Sequence, residues 1–255
     1  MSNVKTIVSA SRDLSRKLAD LRFSDPVEYV YNPFEYARAA WEQYLTRYGS
    51  GRKRVIFLGM NPGPWGMVQN GIPFGERDAV AEWLRIDAPI ISPDSTHPKR
   101  PVKGYGCPRS EVSGRRFWGL MRNRFGLPEV FFDSHFVANY CPLAFLEGSG
   151  RNRTPDKLPA AEAHALFAAC DALLAEIVAV MRPEWLIGVG AFATNRARSV
   201  VAALEKETDR PYASTPHVAT VLHPSPASPR ANAGWDSAAT RQLVELGVWH
   251  DGPTA

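Results

Sequence analysis

An α/β fold, with a mostly parallel sheet covered by helices on both faces, is what this sequence predicts, and two observations carry the prediction. Four short apolar runs, at residues 55–58, 136–140, 185–189 and 218–222, have the length and composition of buried strands. The segments between them hold helical periodicity, and strands alternating with helices make parallel neighbours. With 255 residues, 45% of them apolar, the chain can bury one sizeable core, so a single domain over 1–255 is the simplest division. No repeat, low-complexity tract or linker divides it.

Taken in order, residues 13–23 place Leu14, Leu18 and Leu21 at helical spacing. Asn32, Pro33 and Glu35 supply an N-cap, a proline at the first helical position and a capping-box partner for a helix that runs to Tyr48, where Gly49 stops it. Residues 55–58 form the first strand. A short helix is expected at 77–84, and another at 113–124, because Phe117, Leu120, Met121 and Arg124 recur at one helical face. Residues 130–139 mix strand-favouring and polar residues, which places the second strand at 136–140, before Cys141-Pro142. From Ala160 to Met181, Leu166, Cys170, Leu173, Leu174, Ile177 and Met181 form one stripe, and Pro183 separates that helix from the third strand at 185–189. A helix at 192–204, the fourth strand at 218–222 and a closing helix at 235–246 complete the pattern.

The net charge is +4, and its distribution says more than its size. His97, Lys99, Arg100, Lys103, Arg109, Arg115 and Arg116 crowd into one Pro/Gly-rich stretch with Tyr105 and Trp118. On charge alone this reads as a solvated loop or as a surface that contacts phosphates. Cys107, Cys141 and Cys170 are far apart and odd in number, which suggests neither a disulfide framework nor a Cys-x-x-Cys metal site, but reduced cytosolic thiols. Residues 1–10 lack the apolar core of a signal peptide, and no uninterrupted apolar run reaches about 18 residues, so the chain is expected neither to be secreted nor to span a membrane.

Two strands end in stiff polar loops. Gly59-Met60-Asn61-Pro62-Gly63-Pro64-Trp65-Gly66-Met67 follows the first strand, and His223-Pro224-Ser225-Pro226 follows the fourth. Pro62 and Pro64 remove freedom and backbone donors, so Asn61 and the remaining N–H groups can be held in one geometry. Asn61, Asn139 and His223 thus lie beyond three different strands and can converge at one edge of the sheet, where ligands of open α/β folds bind. Singly, each has a plain alternative, a turn-forming Asn or a hydrogen-bonded structural His. No carboxylate dyad, nucleophile elbow, phosphate loop or metal-ligand set accompanies them. An amide offers a donor and an acceptor side by side to the edge of a planar heterocycle, and an imidazole can donate to an oxygen that gains negative charge. Those parts suit release of a pyrimidine anion.

The motifs carry a family resemblance. Residues 59–67 continuing to Gly71-Ile-Pro-Phe-Gly75, then His97-Pro-Lys-Arg-Pro101, Cys107-Pro108, Ser110-Glu-Val-Ser-Gly114, Arg116-Phe-Trp-Gly119, Asn139-Tyr-Cys-Pro-Leu143, Ser149-Gly-Arg-Asn152 with Thr154-Pro155, and His223-Pro-Ser-Pro226 with Ala231-Asn232 and Gly234-Trp235, resemble the single-strand-selective monofunctional uracil-DNA glycosylases. The likeness covers about 32–248 in the family's order and leaves the two tails outside. It implies a three-layer α/β/α sandwich around a four-stranded, mostly parallel sheet, acting on uracil and on 5-modified uracils such as 5-hydroxymethyluracil in DNA, with no metal or cofactor. By resemblance Asn61 positions the attacking water, His223 hydrogen-bonds uracil O2, Asn139 reads the uracil edge and Phe74 stacks on its face. Met60, Gly63, Trp65 and Met67 are expected around the base. Lys99, Arg100, Lys103, Arg115, Ser225, Pro226, Ala227 and Arg230 are expected against single- or double-stranded DNA, with the protein a monomer, cytoplasmic in a bacterium or nuclear in a eukaryote. Two departures stand out: Ala227 occupies the place of a basic residue that fills the gap left by a flipped base, with Arg230 three positions on, and Trp65 replaces a common phenylalanine. A catalytically silent lesion-binding module and a pyrimidine nucleoside hydrolase are the alternatives.

Overall fold

A computed structural model describes residues 3–206 and 215–252. Along the chain its elements are α1 (Asn3–Ala19), β1 (Val27–Tyr31), α2 (Pro33–Tyr36), α3 (Arg38–Tyr48), β2 (Val55–Gly59), α4 (Met67–Asn70), α5 (Val112–Phe125), α6 (Pro128–Ser134), β3 (His135–Asn139), β4 (Ala144–Glu147), β5 (Asn152–Arg153), α7 (Ala160–Met181), β6 (Trp185–Val189), α8 (Ala191–Leu204), β7 (His217–Val221), α9 (Pro229–Asn232) and α10 (Trp235–Glu245). The main sheet has four strands in the order β3-β2-β6-β7, and every neighbouring pair is parallel. The central strand β2 is buried throughout, as a parallel strand covered on both faces must be. Phe57 on β2 meets Phe117 of α5 and Phe131 of α6 on one side, while α8 packs along β6 and β7 with α7 and α1 beyond it. The expected α/β architecture with four parallel strands is the one found.

Several local expectations need correction. The first helix begins at Asn3 and ends at Ala19, earlier than the expected 13–23, because Ser11 and Ser15 occupy buried positions of its apolar stripe and disguise the period that starts at Ile7. The expected helix over 32–48 is broken at Ala37 (φ −110°, ψ 23°) into α2 and α3, and the Asn32 side chain donates to Ser15 Oγ at 2.9 Å instead of capping. Gly49 does stop α3, its N–H bonding to Leu45 O at 2.7 Å. Residues 79–83 form a single π-type turn rather than a short α-helix. Residues 128–134, where strand-favouring residues stand, are helical, since Pro128 starts a turn that buries Phe131 and Phe132. The strand β3 therefore runs one residue earlier than expected, as does β7.

A second sheet, antiparallel and ordered β1-β4-β5, was not expected at all. Its strands are two to five residues long, too short to show a period. The helix α7 holds the expected stripe, with Leu166, Cys170, Leu173, Leu174, Ile177 and Met181 buried. By length and composition alone this helix could cross a membrane, but its stripe is spent on the core.

Candidate active site

The strands β2, β3 and β7 run parallel, so their carboxyl ends share one edge, with Gly59 opposite Asn139 in register. Beyond that edge lies a cavity of about 310 Å³. Asn61, Asn139, Phe74 and His223 all line it, together with Met60, Gly63 and Ser225. Three strand ends that are distant in sequence thus meet at the crevice position general to open α/β sheets.

Each side chain is held by a nameable contact. Asn61 Nδ2 donates to Leu143 O at 3.1 Å, which commits that end of the amide to the protein and leaves Oδ1 as the acceptor on offer. Asn139 Nδ2 donates to Met67 Sδ at 3.1 Å, so the amide is turned with its nitrogen towards the 59–67 loop. The same amide lies over the end of β2: a Cβ on Gly59 would come within 2.2 Å of Asn139 Oδ1 and 2.9 Å of Phe74 Cε2, and only glycine fits there.

Phe74 has φ +53°, a left-handed backbone that costs a bulky residue about 1 kcal/mol or more. Its ring is kept in place by stacking on Phe117 at 4.5 Å and 11°, and its carbonyl accepts from the Glu76 N–H at 2.6 Å. The ring lies 6.4 Å from His223, so the two close the cavity from adjoining sides. Burial lowers the His223 pKa below the ordinary imidazole value, which keeps the ring neutral near neutral pH, with one N–H to donate.

Not every expected base contact is there. Met67 is buried behind Asn139 and reaches the cavity only through it. Trp65 lies outside the lining, its ring held by the guanidinium groups of Arg100 and Arg109 at 4.9 and 4.6 Å from the ring centre. Among the expected DNA contacts, Lys99, Lys103 and Arg115 are exposed, and Arg100 is partly covered by Trp65. The backbone beneath them is tied down, with Lys99 N bonded to buried His97 Nδ1 at 2.9 Å and Lys103 N to Gln69 Oε1 at 2.8 Å. Pro226, Ala227 and Arg230 are exposed and follow Ser225, which lines the cavity.

Sequence reasoning missed two groups of residues. Glu111, Ser113, Asn152 and Thr154 also line the cavity, and the only signal for them was that they fall inside the shared motifs. Arg116, counted with the basic stretch, instead turns inward: Nη1 bonds to Pro224 O at 3.1 Å and Ser225 O at 3.4 Å, and Nη2 to Asn232 Oδ1 at 2.9 Å. Among the described residues, no group of three or more His, Cys, Asp and Glu side chains is placed to hold a metal ion.

A parallel sheet whose strand ends close a small, mainly apolar cavity, with one aromatic wall, two oriented amides and a neutral imidazole, has the parts to hold a single planar heterocycle. Comparison with known proteins names the class. The profile of the uracil DNA glycosylase superfamily matches residues 46–244. The chain is 49% identical over 235 residues to the single-strand selective monofunctional uracil-DNA glycosylase of Rattus norvegicus, covering 92% of this chain and 82% of the rat protein. Its counterparts in Mus musculus and Bos taurus are 48% and 49% identical over the same length, covering 81% and 84% of those proteins. The chain belongs to the uracil DNA glycosylase superfamily and, within it, to the family of these single-strand selective monofunctional enzymes. Among solved structures, the wild-type SMUG2 of Pedobacter heparinus is similar with a TM-score of 0.69 at 16% identity, covering 99% of this chain and 100% of that one, and bears on the fold alone.

Proposed function

We propose that this protein hydrolyses the N-glycosidic bond of uracil in single- and double-stranded DNA, flipping the nucleotide into the cavity and leaving an abasic site for repair. The observation that carries this reading is the meeting of Asn61, Asn139 and His223, from three strand ends, beside the ring of Phe74 in one cavity. The base stacks on Phe74. Asn139 presents N–H to uracil O4 and C=O to N3–H, a pairing that cytosine reverses, and the Met67 contact supports that orientation of the amide. His223, neutral through burial, donates its N–H to O2 as negative charge moves onto the departing pyrimidine.

Asn61 cannot take a proton as a general base. It holds the water through Oδ1, and the attack falls on a sugar that is already strongly oxocarbenium-like, so catalysis rests mainly on the leaving anion. Among the described residues that line the cavity there is no lysine, which favours a monofunctional reaction without a Schiff base. The same crevice accepts 5-modified uracils such as 5-hydroxymethyluracil, where the pyrimidine C5 meets the backbone from Gly63 onward. Lys99, Arg100, Lys103, Arg115 and Arg230 supply the phosphate contacts, and the protein works as a monomer away from membranes, in the compartment that holds DNA.

The test uses end-labelled single- and double-stranded oligonucleotides with one uracil, followed by alkali. Strand breaks at the uracil are the expected result. Binding without breaks would make the protein a silent lesion binder, and turnover of free deoxyuridine would make it a nucleoside hydrolase.

A further inference from the structure

Glu111 directly precedes α5 and lines the same cavity as Asn61 and His223, yet no step above uses it. Its carboxyl lies against the turn that follows Asn61. A Cβ on Gly63 would approach Glu111 Oε2 to 2.4 Å, and one on Gly66 would approach the same atom to 2.2 Å. Gly66 has a negative φ of −114°, so it is this carboxyl, rather than a left-handed backbone, that leaves no room for a side chain. The N–H of Trp65, between those two glycines, favours the carboxyl as an acceptor. Glu111 Oε2 is buried with no hydrogen-bond partner among the described residues.

We propose that Glu111 is a positioning residue for base release: its carboxyl seats the 63–66 turn, and through that turn Asn61 and the backbone edge of the cavity, at the distance the pyrimidine requires. Pro62 and Pro64 make the connection stiff, so a displacement of the turn is passed on to Asn61 rather than absorbed. This inference rests on the proposed function of the site.

The charge state matters as much as the shape. Burial pushes the Glu111 carboxyl up to about 7, and the negative charge of Glu76 pushes in the same direction, against the Trp65 N–H. Glu76 is itself buried, with Oε2 accepting from the N–H groups of Asp78 and Ala79. Across the cavity His223 is neutral, Asn61, Ser113 and Asn152 carry no charge, and the nearby guanidinium groups of Arg100 and Arg109 lie on the Trp65 ring. Among the described residues, no cation compensates Glu111. As the neutral acid it seats the turn without a second buried anion beside Glu76. As a carboxylate it places negative charge in the crevice where the pyrimidine must leave as an anion, which opposes the transition state. The productive form is therefore the protonated one, present below about 7 and lost as pH rises through that value.

Single-turnover uracil release from a single-stranded oligonucleotide, followed between about pH 5.5 and 9 with Glu111→Ala and Glu111→Gln, tests this. The wild type should lose up to about tenfold in rate per pH unit above that point. Glu111→Ala should lower the maximal rate about tenfold or more with little change in DNA affinity, because the loss is in positioning. The uncharged isostere, Glu111→Gln, should recover most of that loss and lack the descending limb. A descending limb that persists in Glu111→Gln overturns the proposal. So does a rate that rises with pH in the wild type and vanishes in Glu111→Gln, which would make Glu111 a general base. Failure of the wild type to release uracil at any pH would instead sink the function on which the inference rests.

Discussion

The loops that leave β2 and β7 line the same cavity, and they are held by different forces. The first, from Met60 through Phe74, is packed: Met67, Val68 and Ile72 are buried, Tyr36 Oη donates to Val68 O at 2.5 Å, and Gln69 Nε2 ties Pro64 O and Pro101 O at 2.9 and 3.1 Å. The second, from His223 to Arg230, has an exposed tip at Pro226 and Ala227 and is tethered by hydrogen bonds from Arg116, from Asn232 Nδ2 to Pro226 O at 2.9 Å, and from the N–H groups of Ala227 and Ala231 to Ser225 Oγ and Ser228 Oγ. Packing transmits a displacement of a few tenths of an ångström, whereas a tether lets a loop adjust. On the proposed function, the packed loop holds Asn61 and Phe74 at the base, while the tethered loop carries His223 and an exposed tip beside it.

The largest effect should come from removing the chemistry at either end. His223→Ala should lower the rate of uracil release on the order of 10²–10³-fold, as loss of one preorganised donor does elsewhere, and Asn61→Ala should also lose most release. Both should still bind DNA in a gel-shift assay, because the exposed basic residues lie outside the cavity; parallel loss of binding and activity would show that these side chains are structural.

Next comes the packing of the stiff loop. Gly59→Ala puts a Cβ within 2.2 Å of Asn139 Oδ1 and 2.9 Å of Phe74, and a misplacement near 1 Å costs on the order of 10²-fold. The fall should appear in single-turnover rate on single strands as much as on duplex. Wild-type turnover in this variant would mean that the Asn139 amide does not read the base.

Arg116→Ala should act only through the tethered loop. It removes three hydrogen bonds to Pro224, Ser225 and Asn232, so activity on uracil opposite adenine should fall several-fold while single-stranded activity falls less. Equal losses on both substrates would place Arg116 with the recognition machinery instead, and erase the contrast drawn between the loops.

The smallest effect is expected from Ala227→Arg. A matched pair loses more stacking and pairing on opening than a mismatch does, so a side chain able to enter the gap should raise activity on U:A duplex relative to single strands. Ala227→Lys, assayed across salt concentration, separates the causes, since an electrostatic gain shrinks with salt and insertion does not. Should Arg230→Ala abolish duplex activity in the parent protein, Arg230 already fills the gap from α9, and the advantage at position 227 should disappear.

The stiff loop was legible because its information is local. An apolar strand followed by Asn61 between prolines and glycines reads directly from the chain, as do Asn139 and His223 at their strand ends, and the structure brings all three into one cavity. Trp65 shows the limit of that local information. Its place in the loop suggests the base, but its ring lies against Arg100 and Arg109, 35 and 44 positions further on by their numbers, and outside the cavity lining. The role of Arg116 is not legible either, since a cationic side chain near other cations gives no sign that two carbonyls of the 223–226 loop await it.

By itself, then, the sequence determined the alternation of strands and helices, the parallel sheet of four strands, and the three polar residues at its carboxyl edge, because period, apolar run length and strand-end position are properties of neighbouring residues. The tertiary structure alone decided the antiparallel sheet, the inward turn of Arg116 and the seat of Glu111 against Gly63 and Gly66. Those depend on which distant segments touch, and a contact between residues far apart in sequence is set by how whole elements pack and what their burial does to charge, neither of which any local pattern encodes.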